Sequence, residues 1–172
     1  MLHLLGAVLV VIGMVGFGMS YLERERQRIS LLEKWEYIME LYLNEIIYKK
    51  QPLSLASIEV GRKIQGCEGE VLRRIGEKLG NGMEDFFSEV WKKEWKNILK
   101  ELELSKEEKE LVIQFQTFTG FENEEIQKNM ILVQQEKWKK IRERAQDENR
   151  EKKKIILVLS FSVGMLIVLI LL

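Results

Sequence analysis

The 172-residue sequence contains one cysteine, one histidine and one proline. The single cysteine, Cys67, cannot form a disulfide within the chain, and one cysteine with one histidine cannot supply the four ligands of a structural zinc site. The histidine, His3, lies outside the charged part of the sequence, which excludes a Ser-His-Asp triad there. We therefore expect no metal, no cofactor and no catalytic residues, and we expect the chain not to be an enzyme.

Charged side chains are absent from both ends of the sequence. All 27 Lys+Arg and all 27 Asp+Glu residues lie between Glu23 and Lys154, which makes this middle region much more charged than the roughly one quarter typical of globular proteins. The two signs balance, so there is no basic excess for nucleic acid, and we expect no nucleic-acid partner. The sequence thus has three regions: 1–21, 22–154 and 155–172.

The first region predicts a transmembrane helix. Residues 2–21 form a run of 20 residues with no charge other than the marginal His3, and an α-helix of this length spans about 30 Å, the thickness of a hydrocarbon core. A cleaved signal peptide is the alternative. It requires a basic start, an apolar run of about 7–15 residues and a small-x-small cleavage site, and none of these is convincing here.

Residues 155–172 form a second uncharged run of 18 residues, which predicts another transmembrane helix, about 27 Å long. Basic residues flank the two predicted spans on their inner sides only, the nearest being Arg24, Arg26, Arg28, Lys152, Lys153 and Lys154. The positive-inside rule places such flanks in the cytoplasm. We predict a two-pass protein of the cell membrane, with the lipid bilayer as a partner and residues 22–154 as its cytoplasmic domain.

The central region shows the 3.6-residue period of amphipathic helices, as in Trp35, Ile38, Tyr42 and Ile46. The sustained alternation that is typical of strands is missing. The fold class we predict is all-α: a cytoplasmic bundle of about six helices, flanked by one transmembrane helix at each end.

Local signals set several helix boundaries. Pro52 predicts that the first long helix ends near Lys50, and a second helix should follow from Leu53 to about Gln65. Ser105 and Glu108 have the spacing of a capping box at the start of a helix.

Apolar residues at helical spacing are expected to face inward. In the second helix these are Leu55, Ile58 and Ile64. In the helix after the capping box they are Leu111, Val112, Phe115 and Phe118, with Gly120 as its C-terminal stop. The last helix has Asn123 as its cap and is expected to continue from Glu124 into the second span. Its inward residues are expected to be Ile126, Met130, Val133, Ile141 and Ala145.

Six of the seven glycines of the middle region fall between Gly61 and Gly82, and we interpret them as connecting turns. A nucleotide-binding loop is not supported, because no apolar strand precedes these glycines and no Gly-Lys-Ser/Thr follows. The four tryptophans, Trp35, Trp91, Trp95 and Trp138, share helical positions with other apolar residues and are interpreted as core. Trp138 lies among lysines, which leaves a membrane-surface role open for it.

The arrangement of these residues resembles the stage III sporulation protein AB family over almost the whole chain. The most specific match is Glu45-Ile46-Ile47-Tyr48 followed by Pro52-Leu53. The sequence departs from the family pattern at Gln116, Thr119 and Asn123. Further matches occur along the rest of the chain: the opening residues 1–7, Ala56, Leu104-Ser105, Glu108, Leu111, Phe115, Gly120, Gln127 and Ile131.

The resemblance implies a role in endospore formation. Members of the family are membrane components of the apparatus that joins the mother cell to the engulfed forespore, and they are encoded with a secretion-type ATPase and channel-ring proteins. Their cytoplasmic domain is similar to the helical repeat of type II secretion inner-membrane platform proteins. The partners implied are a cytoplasmic secretion-type ATPase and other membrane proteins of the channel complex, and the implied location is the mother-cell side, in the outer forespore membrane.

Three functions stay open at this point. In a non-catalytic platform protein, Glu45, Tyr48 and Pro52 are the candidate docking surface, although Tyr48 and Pro52 could serve only to shape a helix turn. An enzyme using carboxylates such as Glu45 or Asp85 has no second group at an informative spacing. A membrane-tethered adaptor or lipid sensor, unrelated to a channel, would use the basic flank at Lys152–Lys154.

Overall fold

The structure is a computed structural model that describes residues 2–81, 86–118 and 124–171. Within these ranges every regular element is helical and no strand is present, so the predicted all-α fold is confirmed. The elements are α1 (Leu2–Leu43), a π-helix (Asn44–Tyr48), α2 (Leu53–Lys63), α3 (Cys67–Gly80), α4 (Phe87–Glu101), α5 (Lys106–Gln114), a 3₁₀ helix (Phe115–Phe118) and α6 (Glu124–Leu171).

The chain divides into two compact units. The central unit is Leu31–Ile141, and the second unit consists of Met1–Ser30 together with Arg142–Leu172. The charged residues of ranges 23–30 and 142–154 therefore belong to the same unit as the two uncharged runs.

The two predicted transmembrane helices fall at the start of α1 and the end of α6. Counting only the residues that the structure describes, no helix is both long and apolar enough to cross a membrane. The side chains of residues 2–12 and of many further positions in the two runs lie outside the described part. The two spans stay predictions. The expectation that one helix begins at Glu124 and continues into the second run is confirmed by the bounds of α6.

Aromatic rings form the core of the central unit. Trp35, Trp91, Trp95 and Trp138 are all fully buried. The rings of Trp35 and Trp138 stack with centroids 5.5 Å apart, and those of Trp35 and Trp95 lie 4.9 Å apart. The prediction of a tryptophan core is confirmed, and a membrane-surface role for Trp138 is wrong because its ring is enclosed.

Helices α2 and α3 pack closely through glycines. A Cβ atom built on Gly69 would lie 2.0 Å from the carbonyl oxygen of Ile64, and one built on Gly61 would lie 2.7 Å from that of Gly69. A Cβ on Gly76 would lie 2.5 Å from the carbonyl oxygen of Ser54. The interpretation of these three glycines as connecting turns is wrong, because they lie inside helices where two backbones approach too closely for a side chain.

The start of α5 follows the prediction. Ser105 Oγ accepts a hydrogen bond from the Glu108 amide at 3.2 Å, and Glu108 Oε2 accepts one from the Ser105 amide at 2.7 Å, which confirms the capping box. Behind it, Leu111, Val112 and Phe115 are buried, as expected.

The inward face of α6 differs from the prediction. Ile126 and Val133 are 43% and 53% exposed, whereas Ile131 and Trp138 are fully buried. The sequence has four consecutive apolar residues at 130–133, so more than one register fits the helical period. Packing of the large Trp138 ring selects the face that carries Ile131. The expectation for Ala145, which is 2% exposed, is confirmed.

Helix α2 also presents an unexpected face. Ile64 is buried as predicted, but Leu55 is 50% exposed, because α2 packs through Ala56, Ser57 and Val60 instead. Several further expectations, concerning Gly82, Asp85, Gly120 and Asn123, fall on residues outside the described ranges.

Candidate interaction site

The candidate site is the corner where α1 gives way to α2. The α-helix ends at Leu43 and continues as a π-helix, whose last turn is closed by the Lys49 amide donating to the Asn44 carbonyl at 3.0 Å. Lys50 then adopts a positive φ of 53°, a left-handed conformation that reverses the chain. The predicted helix end near Lys50 is confirmed, since the π-helix ends at Tyr48.

Pro52 sits at the N-cap of α2, with φ −61° and ψ 150°. These angles are typical of proline, whose ring restricts φ and whose missing amide proton costs nothing at a helix start. Pro52 therefore shapes the turn before α2, which was one of its two interpretations from the sequence.

Glu45 lies inside the corner and is fully buried. Its Oε1 accepts hydrogen bonds from Lys63 Nζ at 2.7 Å and from Lys49 Nζ at 2.9 Å. Its Oε2 has no hydrogen-bond partner among the described residues. Burial alone raises the pKa of Glu45, but the hydrogen bonds and charges of the two lysines outweigh it, so the pKa lies below its ordinary value. The carboxylate is therefore ionised and serves to hold α2 against the π-helix.

The hydrogen bond to Glu45 also raises the pKa of Lys63. Lys63 could not be assigned from the sequence, because it lies 18 residues from Glu45 in another helix. Lys49 follows the i,i+4 spacing of helical ion pairs, a signal that was present in the sequence.

A second tie joins α1 to α2. Tyr42 Oη donates to Ser57 Oγ at 3.0 Å, and Ser57 Oγ donates to the Leu53 carbonyl at 2.8 Å. Burial raises the pKa of the Tyr42 phenol, with the Ser57 hydrogen bond as a smaller opposing effect, so Tyr42 stays protonated as a donor. Ser57 could not be identified from the sequence, because a small polar residue on a helix carries no signal for a distant partner.

Tyr48 points away from this interior and is 67% exposed. The three residues of the motif therefore have different roles: Glu45 clamps the corner from inside, Pro52 starts α2, and Tyr48 presents an aromatic ring at the surface. An exposed tyrosine on a rigid support has the properties of an interaction residue, since it offers large contact area at low entropic cost.

The predicted membrane-orienting residues lie in the second unit. Arg28 Nη1 lies 3.7 Å from Glu25 Oε2, and Lys152 Nζ lies 2.9 Å from Glu25 Oε1. Arg26 pairs loosely with Glu23 at 3.9 Å. Arg24 and Lys154 are exposed and Lys153 is half-buried. These contacts leave their role in membrane orientation a prediction.

The sequence profile of the stage III sporulation protein AB family matches residues 3–172. A solved structure of a stage III sporulation protein AB is similar to the chain with a TM-score of 0.65 at 19% sequence identity, covering 72% of this chain and 97% of that chain. At this identity the structural likeness shows the fold alone. No curated protein matches the chain.

Proposed function

Since the chain belongs to the stage III sporulation protein AB family, we propose that it is a non-catalytic platform protein of the sporulation apparatus that joins the mother cell to the forespore. Its central unit docks a cytoplasmic secretion-type ATPase, and its uncharged runs anchor it in the membrane beside other channel proteins. The membership itself confirms the resemblance drawn from the motif that spans Glu45, Tyr48 and Pro52.

The observation that carries docking is the exposure of Tyr48 on a corner that is held from within. The fully buried Glu45 and the fully buried Tyr42 each bond to α2, so the surface around Tyr48 is supported by two independent polar ties. Binding energy at protein interfaces concentrates in a few aromatic and arginine residues on well-packed supports. Tyr48 satisfies both conditions, and its hydroxyl adds a polar handle.

The membrane anchoring rests on the distribution of charge in the sequence. Both uncharged runs are flanked by basic residues on the side of the central unit, and this arrangement favours a cytoplasmic position for that unit. A cytoplasmic ATPase and the Tyr48 corner would then share one compartment.

Co-purification of the full-length chain with the secretion-type ATPase tests docking. Replacing Tyr48 by Ala should lower the recovered ATPase by about tenfold or more, because loss of an interface anchor commonly costs 2 kcal/mol or more. The matched control is Phe86→Ala, since Phe86 is a 76% exposed aromatic residue at the N-cap of α4. If the Tyr48→Ala chain melts at the wild-type temperature and still recovers the same amount of ATPase, the docking proposal is wrong.

The lipid-sensor alternative is less well supported by the contacts. Lys152 belongs to the basic flank that such a sensor would use, but its ammonium group already lies 2.9 Å from Glu25. A surface that reads anionic lipid depends on uncompensated basic residues near the bilayer. The ion pair therefore favours a structural role for Lys152.

A further inference from the structure

A basic groove lies between α4 and α5 in the central unit, away from the motif at the α1–α2 corner. It has a volume of about 650 Å³ and is lined by Lys92, Lys96, Leu99, Lys106, Lys109, Glu110, Ile113 and Gln114. Four lysines thus face one glutamate.

Among the described residues, none of the four groove lysines has an acidic partner within ion-pair distance. Two acidic residues of the same helices are committed elsewhere: Glu94 of α4 bonds to Arg74 and Lys78 of α3, and Glu108 closes the capping box of α5. The four lysines therefore carry positive charge that no ion pair within the described ranges neutralises.

The positions of these lysines disfavour the isolated helices. Lys92 and Lys96 are four residues apart on α4, where like charges destabilise a helix. Lys106 and Lys109 lie in the first turns of α5, where a positive charge opposes the helix dipole. A bound anionic group would relieve both effects.

The floor of the groove is apolar. Leu99 is 6% exposed and Ile113 is half-buried between the basic rims. A matching ligand needs an apolar stripe flanked by carboxylates. An amphipathic helix has this pattern, and a groove between two helices is a common way to bind one.

We propose that this groove binds an acidic amphipathic segment of a partner protein. The concave shape favours a protein segment over an anionic bilayer as the ligand. A bilayer is flat, so it would engage the exposed lysines of α4 outside the groove, Lys93 and Lys100, as readily as those inside the groove. The proposal goes beyond the Tyr48 corner, and the two surfaces can be tested separately.

The test is binding of a fluorescent peptide of Glu, Leu and Ala, with leucines at three- and four-residue spacing, to the full-length chain in nanodiscs of neutral lipid. We expect salt-sensitive binding, weakened about tenfold or more by Lys96→Glu with Lys109→Glu. The control pair Lys93→Glu with Lys100→Glu makes the same change in net charge on exposed lysines outside the groove. It should leave affinity almost unchanged.

Four outcomes would overturn the proposal. The first is no binding of the peptide, and the second is equal weakening by the groove and control pairs. The third is equal binding of a scrambled peptide of the same composition, which would show attraction by charge alone. Flotation with phosphatidylserine vesicles tests lipid as the ligand. If Lys96→Glu with Lys109→Glu loses vesicle binding but keeps peptide binding unchanged, the groove binds lipid. Thermal unfolding of each variant separates lost binding from lost folding.

Discussion

Lys63 Nζ in α2 lies 2.7 Å from Glu45 Oε1 in the π-helix, although the two residues are 18 positions apart in the sequence. Glu45 is fully buried, whereas the side chain of Lys63 is 38% exposed. The carboxylate is thus the partner that depends on the pair, because it has no access to water. This asymmetry explains why an acidic residue can occupy the interior of the corner.

Replacing Glu45 by Gln should destabilise the central unit by about 2 kcal/mol, since hydrogen bonds to charged groups contribute about 1.5–3 kcal/mol. Urea unfolding of the full-length chain measures the change. The control is Glu136→Gln, because Glu136 is 54% exposed and lies 3.8 Å from Lys140. That substitution should cost less than about 1 kcal/mol, and equal losses for the two variants would show that Glu45 has no special role.

The same pair predicts a pH dependence. The pKa of Glu45 is lowered from 4.5, so its contribution to stability is full above that value and is lost as the pH falls through the lowered pKa. The pKa of Lys63 is raised from 10.5, so its contribution is full below that value and is lost as the pH rises through the raised pKa. The difference in unfolding free energy between wild type and Glu45→Gln should therefore be constant between these limits and shrink beyond them. A difference that grows on acidification would contradict the assignment.

Gly69→Ala should destabilise the chain by about 1–3 kcal/mol or more, because the added methyl group overpacks the contact between α2 and α3. The control is Gly80→Ala in the same helix, where an added Cβ meets no atom within 4 Å among the described residues. Alanine there should be neutral or stabilising, because it favours helix over glycine by about 1 kcal/mol. Thermal unfolding compares the two, and equal melting temperatures would mean that α2 and α3 are not in close backbone contact.

Tyr42→Phe should cost about 1 kcal/mol, the usual net value of a buried hydrogen bond. Ser57→Ala removes the acceptor of the same bond and its link to Leu53. In a double-mutant cycle the two effects should be less than additive, because both variants break one shared interaction. Additive losses would show that the two side chains do not act together.

Much of the central unit could be predicted from the sequence because its signals are local. The Ser105–Glu108 capping box depends on residues three apart, and the turn before α2 depends on one proline. The tryptophan core follows from apolar periodicity within each helix. Each of these features is decided by neighbours along the chain.

Contacts between helices could not be predicted in the same way. Gly61 and Gly69 have the composition of a turn, and only the approach of α3 to α2 shows that their missing side chains serve packing. The predicted face of α6 is wrong because four apolar residues in a row, 130–133, fit more than one helical register. In the candidate site, the motif identified Glu45 and Tyr48 together, but only burial separates the inner clamp from the exposed ring.

The proposal of a cytoplasmic docking platform is tested most directly by the side of the membrane on which Cys67 lies. Cys67 is the single cysteine and is exposed. Burial of part of its thiol and the neighbouring Glu68 raise its pKa, so a mildly alkaline buffer aids labelling.

Protoplasts expressing the full-length chain are treated with a membrane-impermeant maleimide before and after lysis. We predict labelling of Cys67 only after lysis, with Cys67→Ser as the unlabelled control. A second variant, with Gly-Ser-Cys added after Leu172 in the Cys67→Ser background, should be labelled in intact protoplasts, because the second predicted span leaves the bilayer on the outer side. Labelling of Cys67 in intact protoplasts would contradict the cytoplasmic position of the central unit and, with it, docking of a cytoplasmic ATPase.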